Sequence, residues 1–258
     1  MNVLTMNECC KRKLDETYLV VYAIKNEINI KKGDYIEKSD IYTLVGIDIK
    51  GYRQLINVYQ EKINNSRYWL DEIEKIKRRG LKKVIYVSTE NNKKLEQAFK
   101  IVYNPIVEIS IGEQVQKIAT YTQYRWKSAG ERELVKAYLS ETEEEYKEKM
   151  KEIKEKYKNN QIGLMLIKEF EENTEKRIRE PKAIRHLICS YSTKLNLKRM
   201  VRNVENEYAE IKNLEDLFEK RREYFTTFER TRIYSKLEWT EILNELIKIK
   251  YEEIKEYV

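Results

Sequence analysis

The chain concentrates its positive charge in one segment. Its 51 Lys and Arg against 44 Asp and Glu give a formal net charge of +7. Residues 176–202, KRIREPKAIRHLICSYSTKLNLKRMVR, hold nine Lys or Arg and one Glu, a local +8 that leaves 7 − 8 = −1 elsewhere. Because clustered cations bind phosphates by counterion release, the segment predicts a polyanionic partner. A solvated helix face of a lysine-rich protein is the alternative interpretation.

A second position of chemical interest lies in residues 83–99, KVIYVSTENNKKLEQAF. An apolar run is followed there by a short polar break and the start of a helical pattern. Chains with this pattern often carry a metal-binding carboxylate at the break, which suits a hard cation such as Mg²⁺. The residue at the break is Thr89, whose hydroxyl is neutral.

Cysteine and histidine usage excludes several other kinds of site. The three cysteines, Cys9, Cys10 and Cys189, and the single histidine, His186, support neither a disulfide framework nor a four-ligand zinc site. They indicate a reducing compartment. Since no stretch of about 18 apolar residues occurs and the N-terminus lacks an apolar block, neither membrane insertion nor secretion is expected. We therefore expect a cytoplasmic protein without a membrane partner.

The N-terminal half has the pattern of a sheet interleaved with helices. Segments rich in β-branched and aromatic residues are separated by breaks that contain Gly33 and Gly51, which predicts three successive antiparallel strands. A helix with an N-terminal serine and a C-terminal glycine follows. The order is βββαβαβ, with strands at 17–26, 41–49, 53–61, 81–88 and 106–112 and helices at 66–80 and 92–103.

The C-terminal half is predicted to be helical. Strand signals stop at Glu113, and opposite charges then alternate at the spacing of intrahelical pairs. Helices are expected at 131–160, 162–178, 192–211 and 236–257. The predicted organisation is a sheet-containing core at 14–112, a helical insertion at 113–180, and a late core helix with C-terminal helices at 181–258.

Five landmarks, in order, resemble the catalytic domain of mutator-type bacterial insertion-sequence transposases. They are LDETYLVV, YWLDEIEKIKRRGLKKVIYVS, EPKAIRHLI, LNLKRMVR and EWTEILNELIKI, and the likeness runs from about residue 14 to residue 251. The resemblance implies an α+β, ribonuclease H-like fold with a mixed sheet. It also implies a DNA substrate and an Asp-Asp-Glu triad that holds two Mg²⁺ about 4 Å apart for phosphoryl transfer.

The triad is degenerate when it is carried over by position. Asp15 stands where the family has its first aspartate, so this position is retained. Thr89 stands in place of the second aspartate and Leu195 in place of the glutamate. Since two of three positions are not acidic, the resemblance predicts a domain that has lost catalysis and needs no cofactor.

The residues around the triad have changed as well. The family's Cys-x-x-His has Ser110 and Glu113 at its two positions, and its Thr-Thr-Asn reads Ser190, Tyr191 and Ser192. These replacements agree with a loss of strand cleavage.

An enzymatic alternative uses relocated carboxylates. Glu90 would replace the second aspartate, assisted by Glu16 or Asp48, and Mg²⁺ would then be the cofactor. Strand alternation opposes this alternative, because a shift of one residue turns a side chain to the other face of the sheet.

The leading hypothesis is an inactive, transposase-derived domain that binds DNA or another nucleic acid. A second hypothesis is a protein-interaction module that forms a homodimer or captures an active transposase. If the chain binds nucleic acid, the binding residues would be Arg177, Arg179, Lys182, Arg185, Lys194, Lys198, Arg199 and Arg202.

Overall fold

The computed structural model describes residues 12–32, 35–60, 65–90, 92–122, 127–189 and 234–254, together with Asp216, Glu219, Lys220 and Glu223. The first seven elements confirm the predicted order βββαβαβ. They are β1 Thr17–Lys32, β2 Tyr35–Asp48, β3 Arg53–Gln60, α1 Ser66–Arg78, β4 Lys83–Thr89, α2 Lys93–Tyr103 and β5 Ile106–Ile109. The helices that follow are α3 Ile111–Tyr121, α4 Lys127–Tyr138, α5 Glu143–Lys156, α6 Gln161–Glu175, α7 Lys182–Cys189 and α8 Lys236–Ile254.

The five strands form one mixed sheet in the order β3-β2-β1-β4-β5. β1, β2 and β3 pair antiparallel, whereas β4 lies parallel to both β1 and β5. The α+β class and the mixed sheet are thus confirmed. The ribonuclease H-like assignment stays a prediction, since this order of elements is shared by more than one fold.

Helices cover both faces of the sheet. α7 and α8 pack on one face, where Ile184, Leu187 and Trp239 join the strand residues of the core. α1 and α2 pack on the other face, around the fully buried Trp69. Successive side chains of a strand point to opposite faces of the sheet. Successive residues of the central strands are apolar, so each face of these strands packs against helices.

The connection between β2 and β3 is a three-residue hairpin turn. The Asp48 and Tyr52 backbones pair (N to O, 2.9 Å), and the Gly51 N–H donates to the Asp48 carbonyl at 3.1 Å. Gly51 has φ +83°, which favours glycine in turns of this kind. The Asp48 carboxylate accepts hydrogen bonds from the N–H groups of Lys50 and Tyr52, both at 2.8 Å. Asp48 therefore fixes the turn.

The same turn is covered by the first turns of α8. The Trp239 indole N–H donates to the Ile49 carbonyl at 3.0 Å. A Cβ added at Gly51 would lie 2.6 Å from the Trp239 ring, so no larger residue fits there without a shift. α8 begins with a capping box in which Ser235 and Glu238 each accept from the other's N–H, at 3.2 and 2.8 Å.

The helices α3 to α6 have an apolar core of their own. Its buried residues include Ile111, Tyr138, Met150 and Phe170. The boundaries proposed for a helical insertion remain a prediction. Within the described part of the chain, no helix combines the length and the apolar character that crossing a membrane requires.

Several predicted elements differ from those observed. β1 extends to Lys32 and β2 begins at Tyr35, beyond the strands expected at 17–26 and 41–49, and no separate helix was expected at α3 or α7. The helix expected at 192–211 lies outside the described residues.

The strand expected at 106–112 ends at Ile109, because the Ser110 hydroxyl accepts from the Glu113 N–H at 3.4 Å and starts α3. The helix expected at 131–160 is two helices. Thr142 caps α5 by accepting from the Glu145 N–H at 3.1 Å, and this Thr-x-x-Glu signal was present in the sequence.

Candidate functional site

Thr89, the residue at the polar break identified in the sequence, is the last residue of β4. Its side chain is fully buried, and its hydroxyl donates to the Glu96 carboxylate in the first turn of α2 at 2.6 Å. Its carbonyl accepts from the Ser110 N–H at 3.0 Å. Thr89 is thus a satisfied, neutral residue with a carboxylate directly beside it.

Glu96 is the partner that sequence reasoning missed. Asn92 caps α2 by accepting from the N–H groups of Lys94 and Leu95, at 3.2 and 3.1 Å. This cap sets the start of the helix and brings Glu96, in its first turn, to the end of β4. The Asn92 cap was the available signal, although the contact itself depends on how α2 packs against the strand.

Asp15 lies at the other end of the sheet. It is exposed and comes two residues before β1, where Thr17 pairs with Lys83 and Tyr22 with Ser88. At about 3.3 Å per residue, the six steps from Lys83 to Thr89 span about 20 Å. The structure therefore does not bring Asp15 and Thr89 into one site.

A donor set for two Mg²⁺ would need carboxylates that converge within a few ångströms. Thr89 is neutral with its proton engaged, and Asp15 is remote, so these residues do not fit such a pair of ions at the end of β4. Over the described ranges, no group of three or more His, Cys, Asp or Glu could hold a metal ion. Leu195 lies outside the described residues. Glu90, the proposed substitute, is half-buried directly after β4.

Asp15 borders an open cleft of about 530 Å³. Burial raises the pKa of Asp48 there, the N–H groups of Tyr52 and Lys50 oppose the rise, and the charge of Asp15 adds to it. Glu16, next in the chain, pairs with Lys82 at 2.9 Å. The residues that line the cleft are Arg12, Asp15, Asp48, Lys50, Tyr52, Arg53 and Gln54.

Arg177, a predicted nucleic-acid contact, binds carboxylates inside the protein. Its Nε donates to Glu108 of β5 at 2.8 Å and its Nη1 to Glu180 at 3.0 Å. Glu108 is only 4% exposed, and burial raises its pKa to about 7, with Arg177 opposing the rise. Arg177 therefore ties the sheet to the segment after α6.

Arg185 is likewise internal. It is 1% exposed, and its guanidinium donates to the backbone carbonyls of Glu180 at 2.9 Å, Ser140 at 2.5 Å and Tyr138. These bonds join α7 to the connection between α4 and α5. The expected nucleic-acid contact at Arg185 does not fit this position, because its donors face carbonyl oxygens.

Two other predicted contacts in residues 176–202 are exposed, unlike Arg177 and Arg185. Arg179 is 80% exposed, with Nε 3.5 Å from Glu143. Lys182 is exposed and pairs with Glu141. The other four predicted contacts, Lys194, Lys198, Arg199 and Arg202, lie outside the described residues.

The fold is thus that of an α+β protein with a mixed sheet and helices on both faces. A family model described as Transposase, Mutator family, matches residues 4–226 of the chain. The chain belongs to the Mutator family of transposases. The resemblance inferred from the five landmarks is confirmed.

One curated relative is described as a probable transposase for an insertion sequence element, from Corynebacterium diphtheriae. It is 21% identical over 134 residues. The match covers 52% of this chain and 39% of the relative, so the chain spans about two fifths of the relative's length.

Proposed function

We propose that this transposase-family protein binds nucleic acid and has lost two-metal strand cleavage. The observation that carries the proposal is the contact between Thr89 and Glu96. The resemblance assigns the second aspartate to position 89, and a buried hydroxyl that donates to a carboxylate cannot supply the negative charge that Mg²⁺ requires. The Thr89 hydroxyl instead donates its proton to the neighbouring Glu96 carboxylate.

Nucleic-acid binding is supported by membership of the family and by the basic segment. Two residues leave the proposed contact set, because Arg177 and Arg185 are engaged internally. The proposed contacts are Arg179, Lys182, Lys194, Lys198, Arg199 and Arg202.

Binding is tested by fluorescence anisotropy with a labelled 30-base-pair duplex over a salt series. We expect log Kd to rise steeply with log salt, by about 0.9 per phosphate contacted. The variant K198E/R199E/R202E should lose binding. A matched control, K100E/K151E/K168E, changes the charge equally at exposed lysines of α2, α5 and α6 and should bind normally. Binding that is absent or insensitive to salt contradicts the proposal.

The loss of cleavage is tested on supercoiled plasmid with Mg²⁺ and with Mn²⁺. The native chain should not nick DNA with either ion. Nicking by the native chain that Glu90→Gln abolishes would establish the alternative with relocated carboxylates. The double variant T89D/L195E, which restores both acidic positions, shows whether the scaffold still supports cleavage.

A further inference from the structure

Three chain segments meet at the edge of the sheet opposite Thr89. The Leu14 N–H donates to the Arg79 carbonyl at 2.8 Å, and the Lys82 N–H donates to the Glu16 carbonyl at 2.8 Å. The β2–β3 turn lies at the same edge, because Tyr18 of β1 pairs with Asp48. Residues 12–16, 48–54 and 77–83 together are called the basic edge below.

The basic edge carries a large excess of positive charge. It holds nine Lys or Arg and three Asp or Glu, a net charge of 9 − 3 = +6. Its cations are Arg12, Lys13, Lys50, Arg53, Lys77, Arg78, Arg79, Lys82 and Lys83. This charge is comparable to that of residues 176–202, but it becomes one surface only when the three segments fold together.

Two arginines of the basic edge form hydrogen bonds to backbone carbonyl groups of neighbouring segments. The Arg12 guanidinium donates to the Leu55 carbonyl at 2.7 Å. Arg79 donates to the carbonyls of Arg12 at 3.1 Å and Ile56 at 2.8 Å. These hydrogen bonds join residues 12–16 and the end of α1 to β3 at this end of the sheet.

Three exposed lysines add to the positive charge of the basic edge. Lys13, Lys50 and Lys77 form no salt bridge with any described residue, whereas Lys82 pairs with Glu16. The Lys13 side chain lies over Gly80, with its Cγ 3.4 Å from the position of an added Cβ. The Gly80 N–H donates to the Lys77 carbonyl, so Lys13 and Lys77 flank one turn.

Lys50 lines the open cleft together with Arg12 and Asp15, and it lies next to Asp48. The Asp48 carboxylate is half-buried and accepts two backbone N–H groups within its own turn. The cleft is open and lined mainly by polar and charged side chains. An extended chain of phosphates is compatible with such a surface, since flexible lysines act as point charges that follow a backbone.

We propose that the basic edge is a second nucleic-acid contact surface, which binds the phosphate backbone through Lys13, Lys50 and Lys77. The inference rests on the proposed function for the class of ligand, and it adds a surface at the opposite end of the sheet from Thr89. The contacts are electrostatic and independent of base sequence.

The test compares four proteins, each comprising residues 1–258, for binding of the labelled duplex and of a single strand of equal length. They are the native chain, the variant K13E/K50E/K77E, the late-segment variant K198E/R199E/R202E, and the control K100E/K151E/K168E. The edge variant should bind at least about tenfold more weakly near 0.1 M salt. Its salt slope should fall by up to about 3, or about 0.9 for each phosphate that the variant no longer neutralises. The control should match the native chain.

The outcomes separate the two proposals. Native-like binding by the edge variant, with loss in the late-segment variant, overturns the basic edge and leaves the proposed function standing. Loss in the edge variant alone supports the basic edge and removes the late segment as the main contact. Equal loss of binding in the edge variant and in the control shows a general charge effect and overturns the inference. If the native chain binds neither probe, both proposals are overturned. Circular dichroism of each variant confirms that it is folded.

Discussion

At the level of single residues, Thr89 and Glu96 are hydrogen-bonding partners, and each satisfies the polar group of the other. The buried Thr89 hydroxyl needs an acceptor, and the half-buried Glu96 carboxylate supplies one at 2.6 Å. The sequence identifies position 89 as the end of a buried strand and as neutral. It does not identify Glu96, because that contact depends on the packing of α2 against β4.

Replacement of Thr89 by aspartate should destabilise the protein by about 2 to 4 kcal/mol at pH 8, because two carboxylates would share a buried position. The folded state raises the pKa of the new carboxyl, so the missing stability should be partly recovered as the pH falls toward 5. Thr89→Val removes the hydroxyl without adding charge, and its cost should be nearly independent of pH over this range. Urea unfolding of both variants at pH 5 and pH 8 measures the difference. Native-like stability of Thr89→Asp at pH 8 would contradict the expected repulsion.

At the level of elements, most of the order was predictable, because apolar runs, glycines and helix caps are local signals. The register in which two strands pair is not a local signal, because it depends on residues that are distant in the sequence. Asp15 precedes β1 and Thr89 is the last residue of β4, and the parallel pairing of these two strands sets the residues about 20 Å apart. The break before α5 was readable from Thr142 and Glu145, whereas the internal role of Arg185 depends on the approach of α7 to another helix connection.

The hairpin turn between β2 and β3 offers a prediction at the same scale. Gly51→Ala should destabilise the protein by on the order of 2 to 4 kcal/mol, since φ +83° disfavours alanine and its Cβ would lie 2.6 Å from the Trp239 ring. The double variant G51A/W239A should cost less than the sum of the single changes, because the clash is then absent. Thermal unfolding of the four proteins gives the coupling. Additive costs would show that the backbone alone, and not Trp239, requires glycine.

At the level of the whole molecule, buried charges connect the sheet to the helical region. Glu108 of β5, Arg177 after α6 and Glu180 before α7 form one ion network, with Lys250 of α8 and Arg185 acting on Glu180. Burying such a network is costly unless every member has a partner. The arrangement therefore couples the packing of three regions to the protonation of two carboxyls.

This coupling predicts that stability depends on pH. Burial raises the pKa of Glu108 to about 7 and raises that of Glu180, so the folded state holds protons that the unfolded chain releases. For Glu108 this stabilisation is fully present below about pH 4.5 and is lost as the pH rises toward 7, by up to about 3 kcal/mol. Glu108→Gln should flatten the decline, while Glu172→Gln, at an exposed site on α6, should leave it unchanged. The measurement is the free energy of urea unfolding from pH 4.5 to pH 8. If native and Glu108→Gln proteins lose stability in parallel, Glu108 does not titrate in this range, and Arg177 holds it ionised throughout.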